Sequence, residues 1–369
     1  MQTNKYDFAK KKKRREIMKS IETKVKTQLQ DNLPFVLYCT PKSAEIIGFF
    51  QNNNTLFEVK DFTEKGFVMA NFDGFKTYLI PESESEVVHF TLDKKEIKLS
   101  QKEHANVNPV AQNNFEHLIA KGIAAIENNE FKKVVLSRTE AVELTAFDMM
   151  KTFEKLVQLY PSTFIYCFFH PKVGTWLGAT PERLLKVKEL NFETISLAGT
   201  QKDIGSTEII WGIKEQQEQQ FVTDYLVSKL EDVASEVQFT KPYSLKAGSI
   251  WHIKTDVTGT LNSNSSLKEV IQLLHPTPAV CGLPKESARS FILENENYDR
   301  SFYTGYLGEL NCNFQNSTVS SDLFVNLRCM QIKDKKAYLY VGCGITKDSN
   351  PEKEWEESVN KSMTMKKVL

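Results

Sequence analysis

Lys133-Val-Val-Leu-Ser-Arg138 is followed, one amphipathic stretch later, by Thr163-Phe-Ile-Tyr-Cys-Phe-Phe169, Thr175-Trp-Leu-Gly178 and Phe192-Glu-Thr-Ile-Ser-Leu197. Each is a short run rich in β-branched and aromatic residues and bounded by polar or turn-forming ones, which reads as a strand. Helical spacing appears among them only at Met149–Leu159. A doubly wound sheet needs a crossover helix between parallel strands, whereas strands clustered behind turn signals predict an α+β fold.

On the N-terminal side, Phe115, Leu118, Ile119, Gly122, Ile123 and Ile126 mark one face of a helix. Residues 34–90 alternate short apolar runs with polar turns and read as strands. The acidic stretch Pro81-Glu-Ser-Glu-Ser-Glu86 reads as an exposed loop. Ile17, Ile21, Val25 and Leu29 predict a first helix, preceded by a basic run from Lys10 to Arg15. That run is a solvated helix face or a site for DNA or an anionic membrane. On the C-terminal side a long helix is predicted over 208–233, strands over 304–311, 318–327 and 337–341, and a last helix from Pro351. This divides the chain into a strand-rich part, 1–110, and a second part, 111–369. There is no internal repeat.

The composition narrows the classes. The 369 residues carry 47 Lys+Arg and 47 Asp+Glu, a formal net charge of zero that disfavours a globally basic nucleic-acid binder. Hydrophobic residues make up 41%, with 24 Phe and 12 Tyr, enough for a large packed interior. Six cysteines are scattered without a CxxC pair, no apolar segment follows the basic run, and no stretch is long enough to span a bilayer. A reducing cytoplasm is expected.

Phosphate-loop, HExxH, GxSxG and dinucleotide-binding patterns are absent, and Gly342-Cys-Gly344 lacks a third glycine. What remains is polar residues where strands or helices meet loops. Lys133 opens an apolar strand, which makes it a solvated lysine or a desolvated base. Glu182 follows the tight Gly178-Ala-Thr-Pro181 turn, as a turn carboxylate or one aimed into a cavity. Glu215 and Glu218 stand three apart on one predicted helix, and Glu354 and Glu357 on another; they are solvent-facing pairs or ligands for a hard cation.

Taken together these segments resemble the chorismate-utilising enzymes, most closely isochorismate synthases. The landmarks are KVVLSR at Lys133, GATPERL at Gly178, SLAGT at Ser196, KEQQEQQFV at Lys214 and WHIKTDVTG at Trp251. They continue with LLHPTPAVCGLP at Leu273, YDRSFYTGYLG at Tyr298, VNLRC at Val325 and GCGITKDSNPEKEWEESVNK at Gly342. The match runs from near Phe115 to the C-terminus. It implies one large α+β unit, two packed antiparallel sheets with helices outside, and a surface loop at 81–86 in place of a domain border.

The resemblance also implies Mg²⁺-dependent replacement of a ring hydroxyl on chorismate. Lysine at the start of KVVLSR resembles the water-using members; the ammonia-using ones carry Gln, which cannot take a proton from water. Ala198 lacks the lysine nucleophile of aminodeoxychorismate synthases. Ala279 and Val280 follow the isochorismate synthase pattern, where salicylate and anthranilate synthases usually carry Thr at or near Ala279. Lys133 is thus implied as base, Glu182 as acid, and Glu218 and Glu357 as Mg²⁺ ligands. Arg328 and the backbone at Gly199, Thr200 and Gly342 are implied to bind substrate carboxylates, and His252 to sit near the ring hydroxyls. Glu215, Glu354 and Lys361 are implied to surround metal and substrate, with His275-Pro276 shaping the loop. Gln219 and Glu309 depart from the pattern, where many relatives carry His and an aromatic. The alternatives are a salicylate synthase, which also eliminates pyruvate, and a non-catalytic nucleic-acid-binding protein. A monomer without an amidotransferase subunit is expected; menaquinone and siderophore synthesis both begin with isochorismate, menaquinone being the commoner need.

Overall fold

The computed structural model describes residues 2–92, 108–203, 205, 209–247 and 250–369; the side chains of 2–15, including the basic run, lie outside what it describes. The first half holds α1 (Gln2–Gln30), β1 (Phe35–Cys39), β2 (Glu45–Gln51), β3 (Phe57–Glu58), β4 (Gly66–Ala70), β5 (Thr77–Pro81) and β6 (Ser85–Thr91). Then come α2 (Pro109–Glu127), β7 (Lys133–Glu143), α3 (Met149–Leu159), β8 (Phe164–His170), β9 (Gly174–Thr180), β10 (Arg183–Lys188) and β11 (Asn191–Lys202). The second half holds α4 (Ile213–Glu231), β12 (Ala234–Phe239), β13 (Tyr243–Ala247), β14 (Ile250–Leu261), α5 (Leu267–Leu274), β15 (Gly282–Leu283) and α6 (Lys285–Asn295). It closes with β16 (Tyr306–Leu310), β17 (Ser321–Val325), β18 (Cys329–Lys333), β19 (Lys336–Ile345) and α7 (Pro351–Lys366).

The strands form two antiparallel sheets, the α+β architecture expected. One runs β15-β7-β19-β18-β9-β8-β1-β2-β6; the other runs β12-β14-β11-β10-β17-β16-β4-β5-β3, with β13 also on β14. Strands β1, β2 and β6 therefore complete the sheet that carries β7, and β3 to β5 complete the other.

The period of two explains why so many strands are apolar on both faces. In β1, Phe35, Leu37 and Cys39 turn to a core shared with α1 and α3, while Val36 and Tyr38 turn to the aromatic layer between the sheets. In β8, Ile165 and Cys167 join the former, and Phe164, Tyr166 and Phe168 the latter. A third core lies under α4 and α5, and a fourth under α2, α6 and α7. Helix starts follow local chemistry: Asn108 Oδ1 accepts from the Val110 and Ala111 amides with Pro109 next, and Asn350 Oδ1 accepts from Lys353 with Pro351 next.

Three expectations need correction. The long helix starts at Ile213, with Gly212 as its extended N-cap, and the predicted start at 208 lies outside the described residues. The strand predicted over 318–327 is only Ser321–Val325, because Asn313 and Thr318 close a turn before it. The acidic 81–86 stretch is a single 3-10 turn, Glu82–Glu84, running straight into β6. Its carboxylates are tied down, Glu82 to Lys65, Glu84 to Asn53 and Glu86 to Lys24, so the segment joins one sheet to the other as ordered structure.

Candidate active site

Two places where the chain passes between sheets lie side by side. At Pro181–Glu182 it leaves β9 for β10, and at 326–328 it leaves β17 for β18. The Val325 amide donates to the Glu182 carbonyl at 2.9 Å and the Ala179 amide to the Arg328 carbonyl at 3.0 Å, so each crossing holds the other. Arg328 takes a left-handed φ of 47°, uncommon for a bulky side chain. These crossings deliver an acid and a guanidinium to one cavity.

That cavity has about 650 Å³ of empty space, its open mouth included. It is lined by Glu182, Gly199, Thr200, Glu218, His252, Ala279, Val280, Arg328, Gly342 and Lys361, all predicted from the sequence. Lys133 and Glu357 adjoin it through Glu218 and Lys361. Glu215 does not join them: its carboxylate folds back against Gly212 at the start of α4. Tyr303, Thr304, Leu327 and Tyr340 also line the cavity and were missed, although the YDRSFYTGYLG landmark contains the first two.

Lys133 is fully buried at the start of β7, where it pairs with Leu283 of β15. Its Nζ stands 3.3 Å from Glu218 Oε1, close enough for an ion pair but without a hydrogen bond to any group among the described residues. Burial pulls this ammonium below its ordinary range, with Glu218 and Glu182 opposing. Burial pushes the Glu182 carboxyl up to about 8, with Lys133 and Lys361 pulling the other way. At neutral pH Glu182 is therefore mainly protonated.

Gly199 has φ +71° at a bulge in β11, a conformation that glycine adopts without strain. Its carbonyl meets His252 Nδ1 at 3.1 Å, while His252 Nε2 faces an Arg328 nitrogen at 3.4 Å. Burial, then Arg328 and Lys361, hold the imidazole down at about 3, so it is neutral, with Nδ1 donating and Nε2 accepting. Among the described residues Arg328 otherwise reaches only Thr364 Oγ1, at 3.4 Å, which leaves most of a guanidinium for an anion.

The two inward carboxylates of α7 are each met by a lysine. Lys214 pairs with Glu354, and Lys361 pairs with Glu357 at 2.6 Å while also donating to the Gly342 carbonyl at 3.0 Å. Burial would raise Glu357, but Lys361 and Lys214 hold it below its ordinary value. Burial and the nearby Glu357 push Glu354 up to about 7. Ligand atoms of Cys343, Glu354 and Glu357 lie within 4.8 Å of one another, and Glu354 Oε2 is buried without a hydrogen-bond partner among the described residues. An orphaned carboxylate oxygen beside further carboxylates fits a hard divalent cation. The Cys343 thiol, raised by burial and donating to the Glu354 carbonyl, is not suited to ligate one.

A cavity pairing a desolvated amine with a protonated carboxyl, and a guanidinium held by two weak contacts with clustered carboxylates, suits acid–base chemistry on a multiply anionic substrate. The model of the chorismate binding enzymes matches residues 70–369, and the chain belongs to that family of enzymes. Isochorismate synthase EntC of Escherichia coli K12 is 29% identical over 271 residues, 70% of this chain and 67% of that protein. Isochorismate synthase DhbC of Bacillus subtilis is 28% identical over 302 residues, 76% of this chain and 74% of that protein. The structure of MenF, the menaquinone-specific isochorismate synthase of Escherichia coli, superposes with a TM-score of 0.74 at 20% identity, covering 91% of this chain and 88% of that one. No described helix is long and apolar enough to cross a membrane, and all six cysteines are free and buried.

Proposed function

We propose that the chain is an isochorismate synthase, interconverting chorismate and isochorismate reversibly and with Mg²⁺. The observation that carries this is the Lys133–Glu182 pair: two buried groups beside one cavity, each pushed toward its uncharged form. Neutral Lys133 takes a proton from water as the oxygen bonds to ring C2. The ring double bond shifts, the C4–O bond breaks, and Glu182 gives its proton to the departing hydroxyl. One water enters and one leaves; the charged Lys133 and Glu182 left behind are the groups that the reverse reaction requires.

Glu218 and Glu357, with Glu354 beside them, would hold the metal, which when bound neutralises the ring carboxylate. Arg328 suits the second carboxylate, assisted by backbone N–H groups at Gly199, Thr200 and Gly342. His252, neutral, orients Arg328 and the ring hydroxyls without exchanging protons. Lys361 stays charged through Glu357 and balances the anionic substrate. Water, not ammonia, is the nucleophile, so no amidotransferase partner is required; a monomer in the cytoplasm is the setting we assign, its six free thiols supporting a reducing compartment.

Product analysis with chorismate, with and without Mg²⁺ and ammonium, tests this. Isochorismate in equilibrium with chorismate, formed only with metal, is the expected outcome. Salicylate and pyruvate would place the chain among the lyases. No turnover under any condition would leave a binding protein.

A further inference from the structure

Arg300 and Glu296 form an ion pair that is almost wholly inside the protein, their side chains 2% and 1% exposed. The pair is bidentate, Arg300 Nε to Glu296 Oε2 at 2.7 Å and one terminal nitrogen to Oε1 at 2.6 Å. The same terminal nitrogen donates to the Val135 carbonyl at 2.7 Å. The other donates to the Val280 carbonyl at 2.9 Å and, more weakly, to Thr304 Oγ1 at 3.4 Å. All five guanidinium hydrogens thus have acceptors. Val135, Val280 and Thr304 all line the active-site cavity.

The position of the pair follows from where β15 ends. This two-residue strand covers the edge of β7 only at Lys133 and Val134, with Cys281 reaching the Val135 amide at 2.7 Å. Beyond it, the Val135 carbonyl and the Ser137 amide would face a buried gap without partners, a costly arrangement. Arg300 takes the first, and Glu296 Oε1 takes the second at 2.7 Å, together with the Ser137 hydroxyl at 2.8 Å. The ion pair replaces the missing strand. Because Arg300 also holds Val280, it joins the edge of the strand that begins with Lys133 to the loop that presents Ala279 and Val280.

We propose that Arg300, held by Glu296, is a positioning residue that sets the distance between the base strand and the loop wall against which the substrate ring rests. This rests on the isochorismate synthase reading. Arg300 touches neither proton-transfer group, so its loss misaligns reacting atoms more than it weakens substrate binding.

The test compares wild type with Arg300→Gln/Glu296→Gln, which removes both charges and leaves no buried ion unpaired, and with Arg300→Lys, which keeps the charge but not the planar fork. The expected result is a kcat lowered 10- to 100-fold in the double variant, with KM within threefold of wild type, and a smaller loss in Arg300→Lys. Equal kcat in wild type and double variant overturns the inference alone, as does a loss confined to KM. If the double variant does not fold, Arg300→Lys decides: wild-type kcat there overturns the inference. A wild-type chain that forms no isochorismate overturns the reading and this inference with it.

Discussion

At the scale of single residues, the chemistry turns on two side chains that burial drives away from their usual charge. Lys133→Gln removes the only part of the side chain able to take a proton and keeps similar bulk in a fully buried position. The variant is expected to keep its circular dichroism and form no isochorismate by chromatography; near-normal formation would exclude Lys133 as the base. Glu182→Gln is expected to lose about 10²–10⁴ in rate. Since Glu182 must hold its proton and burial pushes it up to about 8 in the free protein, wild-type kcat/KM should fall as pH rises through that value. A kcat/KM that shows no fall between pH 6 and 9.5 would remove Glu182 as the acid. Both residues were legible as motif positions, but their environment was not: an apolar run after Lys133 is compatible with a solvated end or a sealed one, and in the fold β15 pairs with this end while the buried ammonium faces Glu218 of α4. The glutamate pairs show the same limit. Three-residue spacing sets both members near one helix face, yet the carboxylate of Glu215, at the third position of α4, lies against Gly212. On α7 both Glu354 and Glu357 turn inward.

At the scale of elements, the site depends on α4 approaching β19 closely. Gly344 permits this, since a Cβ there would lie 1.9 Å from Glu218 Oε1. The nearest atoms belong to a side-chain end, so Gly344→Ala should move the carboxylate and spare the strand. Calorimetric Mg²⁺ titration is expected to show affinity weakened about tenfold, in line with losses seen when supporting groups around a metal are altered. Unchanged affinity with an intact fold would argue against Glu218 as a ligand. Elements with continuous apolar runs or strong helical periodicity, such as β8 and α3, were legible, and of β7 the buried first half, Lys133–Arg138, while its half-exposed continuation to Glu143 was not. The β12 and β13 strands were not, because their side chains are mostly exposed and the alternation that marks a strand is weak where neither face is covered. The α4 start was misplaced because the N-cap is a glycine without a side-chain hydrogen bond, so no Ser, Thr, Asp or Asn signals it.

At the scale of the whole molecule, the two sheets meet through a layer of aromatic rings, with Phe164 of β8 stacked on Phe324 of β17 at 4.4 Å between centroids. Within this layer Tyr38 of β1 donates to Glu309 Oε1 of β16 at 2.7 Å, a polar bond spanning the sheets; the Phe314 amide reaches the same oxygen at 3.2 Å. Glu309 is the departure from the family pattern noted in the sequence, and its place explains how a carboxyl is tolerated where an aromatic is common. Burial raises it to about 7, with Tyr38 and Phe314 pulling it down and Asp322 adding to the rise. A carboxyl whose folded pKa exceeds its unfolded one favours the folded state at low pH and loses that contribution as pH rises through the folded value. The unfolded value is near 4.5, so the loss spreads from about pH 5 to above 7 and amounts to at most about 3 kcal/mol. Glu309→Gln keeps an oxygen for Tyr38 and Phe314 and cannot ionise. Urea unfolding of both proteins should therefore show similar stability near pH 5 and a growing advantage for the variant by pH 8.5. Parallel stability curves across that range would mean that Glu309 ionises as readily inside the fold as outside it, and that the layer between the sheets is open to water at this point.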